Sequence, residues 1–222
     1  MPAYNEERTI EAILEKIIKI KFECQAELIV VDDCSTDKTK EILLKVKQKY
    51  PEIKLLFHEK NKGKGSAVKT GLKHATGDII AIQDADLEYK PNNINDLIKP
   101  ILNNKFEVVY GSRFLRKEKK GYSLFYLGNW FLSLITSILY FSKITDMETC
   151  YKVFKKEVIN NIKLNCQGFE FEPEITAKIL KKGYKIKELP IDYQPRTITE
   201  GKKIKVADGL VALWYLIKYR FV

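Results

Sequence analysis

The chain has 222 residues, 45% apolar and 31% charged, so it can bury a core as one domain, and this composition argues against intrinsic disorder. Lys and Arg outnumber Asp and Glu by 39 to 29, and this formal charge of +10 indicates an anionic partner: nucleic acid, a phosphorylated ligand or an acidic membrane surface. Four scattered Cys residues without a CxxC pair, and only two His residues, argue against a disulfide framework, a zinc site and an imidazole-based metal centre.

Segments with helix and strand patterns alternate along the first half of the chain. Predicted helices cover residues 5–21, 37–50 and 61–75, and predicted strands cover residues 26–33, 53–59, 78–86 and 106–113. Ser35 and Thr36 are candidate N-caps for the second helix. This alternation predicts an α/β fold with a parallel, doubly wound sheet. Such a sheet is expected to open with an apolar strand, whereas the sequence opens with MPAYNEE, already in the turn before the first predicted helix.

Three acidic residues, Asp84, Asp86 and Glu88, follow the apolar run of the fourth predicted strand without a Lys or Arg among them. Ligands of open parallel sheets bind beyond the carboxyl ends of the strands, so these side chains lie where a site is expected. A divalent cation would relieve their mutual repulsion, and oxygen ligands suit Mg²⁺ or Mn²⁺. The alternative is a solvated acidic turn before the helix near Pro91, and for a DxD motif alone it is the better interpretation.

Residues 123–141 contain no charged side chain, and their number meets the lower limit for a membrane span. A buried core helix and a helix lying in the membrane interface are the alternatives. The basic RKEKK segment just before it and several Tyr and Trp residues favour the interface. A single crossing would also put Arg196 and Lys202 on the side of the membrane opposite Asp86. The apolar C-terminal residues 209–222 are too few to span.

Several motifs together resemble those of family 2 glycosyltransferases. They are PAYNEE, VVDDCSTD, NKGKGSAVKTGL, GDIIAIQDAD and GSR, in that order. In the second half, GNWFLSLITSILYFSKITDMETCYKVFKKEVI, GFEFEPEITAKILKKGYKIKELPIDYQPR and EGKKI resemble the dolichol-phosphate mannose synthase branch, whose members transfer a sugar to a polyprenyl phosphate. Cys34 and Cys150 depart from the pattern, because Gly is usual at both positions.

The resemblance implies an A-type nucleotide-sugar (Rossmann-like) fold with a mostly parallel sheet and interface helices in the C-terminal third. Residues 1–116 would form the nucleotide-sugar-binding half, and residues 117–222 the acceptor and membrane-interface half. Asp86 and Glu88 would bind Mg²⁺ or Mn²⁺, and Asp84 and Ala85 would contact the sugar nucleotide. The nucleoside pocket would consist of Pro2, Tyr4, Glu6, Val31 and Asp33.

Arg113, Arg196 and Lys202 are the candidates for a cationic clamp on the phosphate groups. We expect Asp84, Asp86, Arg113 and Arg196 to be the catalytic residues. A phosphate acceptor is already ionised at neutral pH and needs no general base. This suits a chain with two His residues.

The expected function is the inverting transfer of mannose or glucose, from GDP-mannose or UDP-glucose, to polyprenyl phosphate at the cytoplasmic membrane face. The expected location is cytoplasmic and peripheral to the membrane, in a reduced compartment and without a signal peptide. The alternative enzyme builds a surface polysaccharide on a sugar hydroxyl, for which Glu172 is a candidate base. A nucleic-acid-binding module would explain the charge but not the strand-end acids, which repel phosphates, so we expect no nucleic-acid partner. A non-catalytic membrane scaffold is the remaining alternative.

Overall fold

The computed structural model describes residues 1–116, 124–196, 203 and 206–222, which form an α/β fold. The strands are β1 (Pro2–Ala3), β2 (Ile29–Asp32), β3 (Lys54–Phe57), β4 (Ile79–Ala81), β5 (Val108–Ser112), β6 (Lys152–Lys155) and β7 (Ile186–Pro190). The helices are α1 (Ile10–Ile18), α2 (Thr39–Lys49), α3 (Lys64–His74), α4 (Asn93–Leu102), α5 (Leu124–Tyr140), α6 (Lys156–Asn160), α7 (Phe171–Lys181) and α8 (Val206–Phe221). The predicted α/β class is confirmed.

The strands form two sheets rather than one continuous parallel sheet. The first has the order β1-β2-β3, with all strands parallel. The second has the order β4-β6-β5-β7, in which β6 runs antiparallel to β4 and β5 while β5 and β7 are parallel. The alternation predicted a fully parallel, doubly wound sheet. That prediction was wrong for β6, which runs antiparallel to both of its neighbours. Strand β6 enters the sheet from the later half of the chain and connects β4 to β5.

The chain opens with a short strand, not with a turn. Residues Pro2 and Ala3 pair with Val31 and Asp32 of β2, and the ammonium group of Met1 donates a hydrogen bond to the carbonyl oxygen of Ile29 at 2.8 Å. Beside it lies a cavity of about 650 Å³ whose lining includes residues of β2, β4, α1, α3 and α4. Strand β2, the central strand of the first sheet, and β4, an edge strand of the second, thus both line this cavity.

Two local sequence predictions need correction at helix N-termini. The first helix begins at Ile10 rather than residue 5, because Asn5 adopts a left-handed conformation with φ of 50° and its N–H donates to Ser35 Oγ. The second begins at Thr39, whose N–H donates to Asp37 Oδ1 at 2.9 Å. Ser35, a predicted cap, donates instead to Asp32. The contact between Asn5 and Ser35 ties the β1–α1 loop to the β2–α2 loop.

Helices α5 and α8 pack against each other and against α7, and both expose apolar side chains on another face. Their shared core contains Leu132, Ala177, Ala212 and Leu216. The exposed set comprises Leu127, Trp130, Phe131, Leu134, Ile138, Phe141, Leu210, Val211, Trp214, Ile217, Phe221 and Val222, and we call it the apolar face. Helices α5 and α8 are therefore neither wholly buried in the core nor wholly exposed to solvent. Within the described ranges, none of the helices combines the length and the apolar character that crossing a membrane requires.

Candidate active site

A cavity of about 820 Å³ lies at the carboxyl ends of β1, β2, β4 and β5. It brings together nearly all the site residues predicted from the sequence, namely Pro2, Tyr4, Glu6, Asp33, Asp84, Ala85, Asp86, Glu88, Arg113 and Arg196. Val31 is different, because its side chain is buried within β2 and does not line the cavity. Lys202 lies outside the described residues. The strand-end position expected for the acidic residues is thus where the cavity opens.

At one end of the cavity, Asp33 fixes the loop that leads into α3. Its carboxylate accepts hydrogen bonds from the N–H groups of Lys62 and Gly63 at 2.9 and 2.7 Å, and it contacts His58 Nδ1 at 2.6 Å. Gly63 has φ of 88°, and a Cβ there would meet the carbonyl oxygen of Gln167 at 2.5 Å, so this position requires glycine. A carboxylate has about four acceptor sites, so Asp33 retains capacity for one ligand donor.

The N–H groups at the start of α3 are not free for a phosphate. The N–H groups of Gly65 and Ser66 donate to the carbonyl oxygens of Gly168 and Gln167 at 3.1 and 2.9 Å. The Gly-rich segment therefore docks the loop before α7 onto the first sheet. Its Lys64 side chain turns into the cavity instead.

Three acidic side chains, Glu6, Asp86 and Glu88, surround the guanidinium group of Arg196 and define the acid cluster. Arg196 nitrogens lie 2.9 Å from Glu6, 3.1 Å from Asp86 and 3.6 Å from Glu88. Lys203 adds a second cation, 2.7 Å from Glu6. Burial first, and then the charges of Asp84 and Glu88, raise the pKa of Asp86 to about 7, although Arg196 opposes the rise. The acid cluster is therefore short of positive charge even with Arg196 in place.

The acid cluster is chemically suited to a divalent cation. Carboxylate oxygens are hard ligands, and the raised pKa of Asp86 shows that an added positive charge would stabilise its ionised form. Across the described ranges, no group of three His, Cys, Asp or Glu side chains has the arrangement of a complete metal cage. Magnesium commonly binds one or two carboxylates and completes its shell with phosphate oxygens and water. Asp86 and Glu88 fit that kind of site.

Four charged side chains, three of which line the cavity, are linked by buried ion pairs. Lys64 Nζ lies 2.9 Å from Asp84 and 3.1 Å from Glu172, and Lys152 Nζ lies 2.5 Å from the other oxygen of Glu172. Burial alone would raise the pKa of Asp84, but the Lys64 ammonium outweighs it and lowers that pKa. Asp84 is therefore held as a carboxylate. These ion pairs also join α3, the end of β4, β6 and α7 around the cavity.

Arg113 is held rigidly at the end of β5. Its Nε and Nη2 atoms donate to the two carboxylate oxygens of Asp146 at 2.8 and 2.7 Å, a bidentate arrangement, and its guanidinium carbon lies 5.1 Å from the ring centre of Tyr193. Burial would lower the pKa of Arg113, but the Asp146 carboxylate raises it well above its usual range. The side chain therefore presents a fixed positive charge at the cavity wall.

The sequence alone did not identify every side chain that lines this cavity. Lys64, Glu148 and Cys150 also line it, and none of them was a predicted site residue. For Lys64 a signal existed, since a Lys between two Gly residues at a helix start is unusual in a solvated helix. Glu148 lies in a loop without periodicity, so no pattern pointed to it.

Comparison with known proteins identifies relatives over most of the chain. A family model described as glycosyl transferase family 2 matches residues 1–163. A dolichol-phosphate mannosyltransferase of Pyrococcus furiosus is 33% identical over 213 residues, which are 91% of this chain and 57% of that protein. A dolichyl-phosphate beta-glucosyltransferase of Trichomonas vaginalis is 29% identical over 96% of this chain and 69% of that protein. The chain thus spans little more than half the length of the Pyrococcus relative.

Solved structures with the same fold include glucosyl-3-phosphoglycerate synthase of Mycobacterium tuberculosis. Its complex with UDP covers all of this chain and 78% of its own, with a TM-score of 0.78 and 18% identity. A second complex of that enzyme, with Mn²⁺, UDP-glucose and glycerol 3-phosphate, has a TM-score of 0.75 and 19% identity over the same shares. At this identity the similarity shows the fold, and the predicted A-type nucleotide-sugar fold is confirmed.

Proposed function

The chain belongs to glycosyl transferase family 2, and from that premise we propose that it transfers a hexose from a nucleotide sugar to a polyprenyl phosphate with inversion at the anomeric carbon. Relatives named as dolichol-phosphate mannosyltransferase and dolichyl-phosphate beta-glucosyltransferase support the acceptor class and leave mannose and glucose as the candidate sugars. GDP-mannose and UDP-glucose are the corresponding donors.

One observation carries the proposal, namely that a polar and an apolar surface meet in one cavity. The strand-end residues Asp84, Asp86 and Arg113 line it, and so do Trp130 and Phe131 of α5. Those two aromatic side chains are also about half exposed, at 49% and 47%. A lipid phosphate combines the same two properties, because its headgroup is anionic and its chain is apolar. We propose that the lipid enters along the apolar face with its phosphate directed at the cavity.

We place the nucleoside at the end formed by Pro2, Tyr4 and Asp33, with the diphosphate against the acid cluster. Asp86 and Glu88 would hold Mg²⁺ or Mn²⁺, which when bound neutralises the charge developing on the departing diphosphate. Arg113 lines the same cavity and is the proposed fixed cation for the acceptor phosphate. Inversion requires that the nucleophile and the leaving group lie on opposite faces of the sugar.

A phosphate oxygen attacks without prior deprotonation, so this scheme needs no catalytic base. A sugar hydroxyl acceptor would need one, and Glu172 is the candidate from the sequence. Both Glu172 oxygens already contact ammonium groups, those of Lys64 and Lys152. Those contacts favour the phosphate acceptor.

The apolar face suits peripheral attachment to a membrane surface. It includes two Trp residues, Trp130 and Trp214, and α8 carries Lys218 and Arg220 in its last turn. Aromatic side chains and flanking basic residues are typical of helices that lie in the membrane interface. We propose this location at the cytoplasmic face.

The test is a transfer assay with labelled UDP-glucose and GDP-mannose in liposomes containing polyprenyl phosphate, with Mn²⁺ or with a chelator. We expect an organic-soluble, mild-acid-labile glycolipid from one donor, and none with chelator or with the Asp86→Asn variant. Donor binding without glycolipid from any sugar donor tested would reject the proposed acceptor.

A further inference from the structure

The carboxyl group of Glu148 lines the active-site cavity but has no part in the scheme above. The residue lies between α5 and β6, and its neighbours on the cavity wall include Cys150, Asp84 and Glu172. Its Oε1 atom is buried and accepts no hydrogen bond within the part of the chain that the structure describes. A buried acceptor without a partner destabilises the folded state, so its persistence calls for an explanation.

The acidic groups around Glu148 are each paired with a cation. Asp146, on the same loop, binds Arg113 of the β5 end, and Glu172 of α7 lies between Lys152 of β6 and Lys64 of α3. Asp84 of the β4 end also binds Lys64. The charges of these groups act on Glu148, but among the residues that the structure describes Glu148 forms no ion pair. Glu148 is therefore an additional hydrogen-bond acceptor on this part of the cavity wall, where the other acidic groups already have cation partners.

Burial, and then the charge of Glu172, raise the pKa of Glu148 to about 7, with a smaller contribution from Asp146. Lys152 and Arg113 act in the opposite direction. The group is therefore able to accept a hydrogen bond as a carboxylate, or to donate one when protonated, near neutral pH. Its terminal torsion is soft, so either oxygen can turn toward the cavity.

The charge of this wall decides which ligand suits it. When Glu148 is ionised, the acids are Asp84, Asp146, Glu148 and Glu172, and the cations are Arg113, Lys64 and Lys152. Among the described residues, Glu148 is the acid of this set without a cation partner, so its carboxylate would repel a phosphate oxygen but accept a hydrogen bond from a neutral hydroxyl group. In the proposed arrangement, the wall lies beyond the acid cluster that takes the diphosphate. The group attached to that diphosphate is the sugar.

We propose that Glu148 binds a hydroxyl group of the transferred sugar and is a specificity-determining residue for the donor. This inference rests on the proposed function, because it requires a nucleotide sugar in the cavity. A site built to hydrogen-bond a substrate hydroxyl discriminates against analogues that lack it, since its polar group is then left unpaired.

The test is calorimetric titration of the full chain, in the presence of Mn²⁺, with nucleotide sugars and with the matching nucleoside diphosphates. We expect Glu148→Ala to weaken the binding of the nucleotide sugar about tenfold and to leave the diphosphate within about twofold, the size of one lost hydrogen bond to a charged group. Glu148→Gln, which keeps an acceptor oxygen and the side-chain shape, should lose less. Glu157→Ala, which removes an exposed carboxylate from α6, is the matched control.

A panel of donors, each lacking one sugar hydroxyl, identifies the contact. We expect one member of the panel to bind wild-type protein and Glu148→Ala equally, because the group that Glu148 contacts is already absent. The proposal would be overturned if Glu148→Ala weakened the binding of nucleotide sugar and of nucleoside diphosphate equally. It would also be overturned if the substitution weakened the binding of every donor in the panel. Unchanged binding combined with loss of transfer to a hydroxyl acceptor would overturn it as well, because Glu148 would then be a base.

Failure of the proposed function has a different signature. Wild-type protein that binds nucleotide sugars but forms no glycolipid would reject the lipid acceptor and leave the Glu148 contact measurable. Wild-type protein that binds no nucleotide sugar would overturn both.

Discussion

Arg196 lies where a divalent cation would be expected, among the three carboxylates of the acid cluster. Removing it leaves Glu6, Asp86 and Glu88 with less compensation, so a metal ion no longer competes with a guanidinium group. We expect Arg196→Ala to raise the affinity of the nucleotide-free protein for Mn²⁺ by roughly five- to tenfold, about 1–1.4 kcal/mol. Calorimetric titration with Mn²⁺ measures this. Arg220→Ala removes the same charge from α8 and should leave that affinity unchanged.

Weaker Mn²⁺ binding in the Arg196 variant would mean that Arg196 organises the acid cluster rather than occupies it. The sequence suggested a different role for Arg196, as part of a cationic clamp on the phosphate groups. The contact with Glu6, 190 residues away, connects Arg196 with the nucleotide end as well.

The environment of Asp86 disfavours its ionised carboxylate, which lowers the stability of the fold near neutral pH and favours the binding of a metal ion. Its pKa is raised from 3.8 to about 7, so the folded state holds a proton that the unfolded chain releases, and stability falls as the pH rises from about 4 to 7. We expect Asp86→Asn to lower the transfer rate about a hundredfold or more. We also expect its melting temperature at pH 8 to equal or exceed that of wild type.

Initial rates at saturating Mn²⁺ and thermal melts measure the two effects. Near-normal transfer by Asp86→Asn would rule out the metal assignment, and a large drop in melting temperature would show that the carboxylate supports the fold instead.

Residues directly after apolar strands were predictable, because a strand pattern fixes where the strand ends. This is why Asp84, Asp86, Glu88 and Arg113 were identified. Glu148 was missed, because its position depends on how loops from distant parts of the chain approach one another. Lys64 was missed although it stands between two Gly residues at the start of α3.

Strand β6 shows why the sequence patterns did not predict every strand of the second sheet. Its sequence, KVFK, is short and half Lys, and Lys152 is nevertheless fully buried. The contact with Glu172 of α7 stabilises that charge, and no local pattern encodes a partner 20 residues later. Apolar alternation could not have predicted this strand or its direction.

The apolar face of α5 and α8 is the element on which the proposed location depends. Trp214 is 61% exposed on α8, and insertion of such a side chain into the bilayer interface contributes about 1–2 kcal/mol. We therefore expect Trp214→Ser to weaken binding to anionic liposomes by roughly tenfold in a sedimentation assay. Leu44→Ser, which removes a 46% exposed apolar side chain from α2, is the control and should have no effect.

Equal binding by wild type and Trp214→Ser, or no binding of wild type at any lipid concentration, would contradict the proposed interface. Salt should weaken the association by screening Lys218 and Arg220. The basic residues expected from the sequence to share this role, Lys117, Lys119 and Lys120, lie outside the described residues.

At the scale of the whole molecule, the two sheets are built from interleaved parts of the chain. The second sheet takes β4 and β5 from the first half and β6 and β7 from the second. A division into residues 1–116 and 117–222 stays a prediction about which half binds donor and which binds acceptor.

We propose that the acceptor is a lipid phosphate held between a polar cavity and the apolar face. The most direct measurement offers the protein, in identical liposomes with Mn²⁺ and the donor it binds, a polyprenyl phosphate, the matching polyprenol without phosphate, and an oligosaccharide with free hydroxyl groups. We expect transfer to the polyprenyl phosphate and none to the other two, because the cavity supplies a fixed cation at Arg113 and the reaction uses no base. Transfer to the oligosaccharide, with the polyprenyl phosphate left unmodified, would contradict the account and identify the enzyme as a polysaccharide-building transferase.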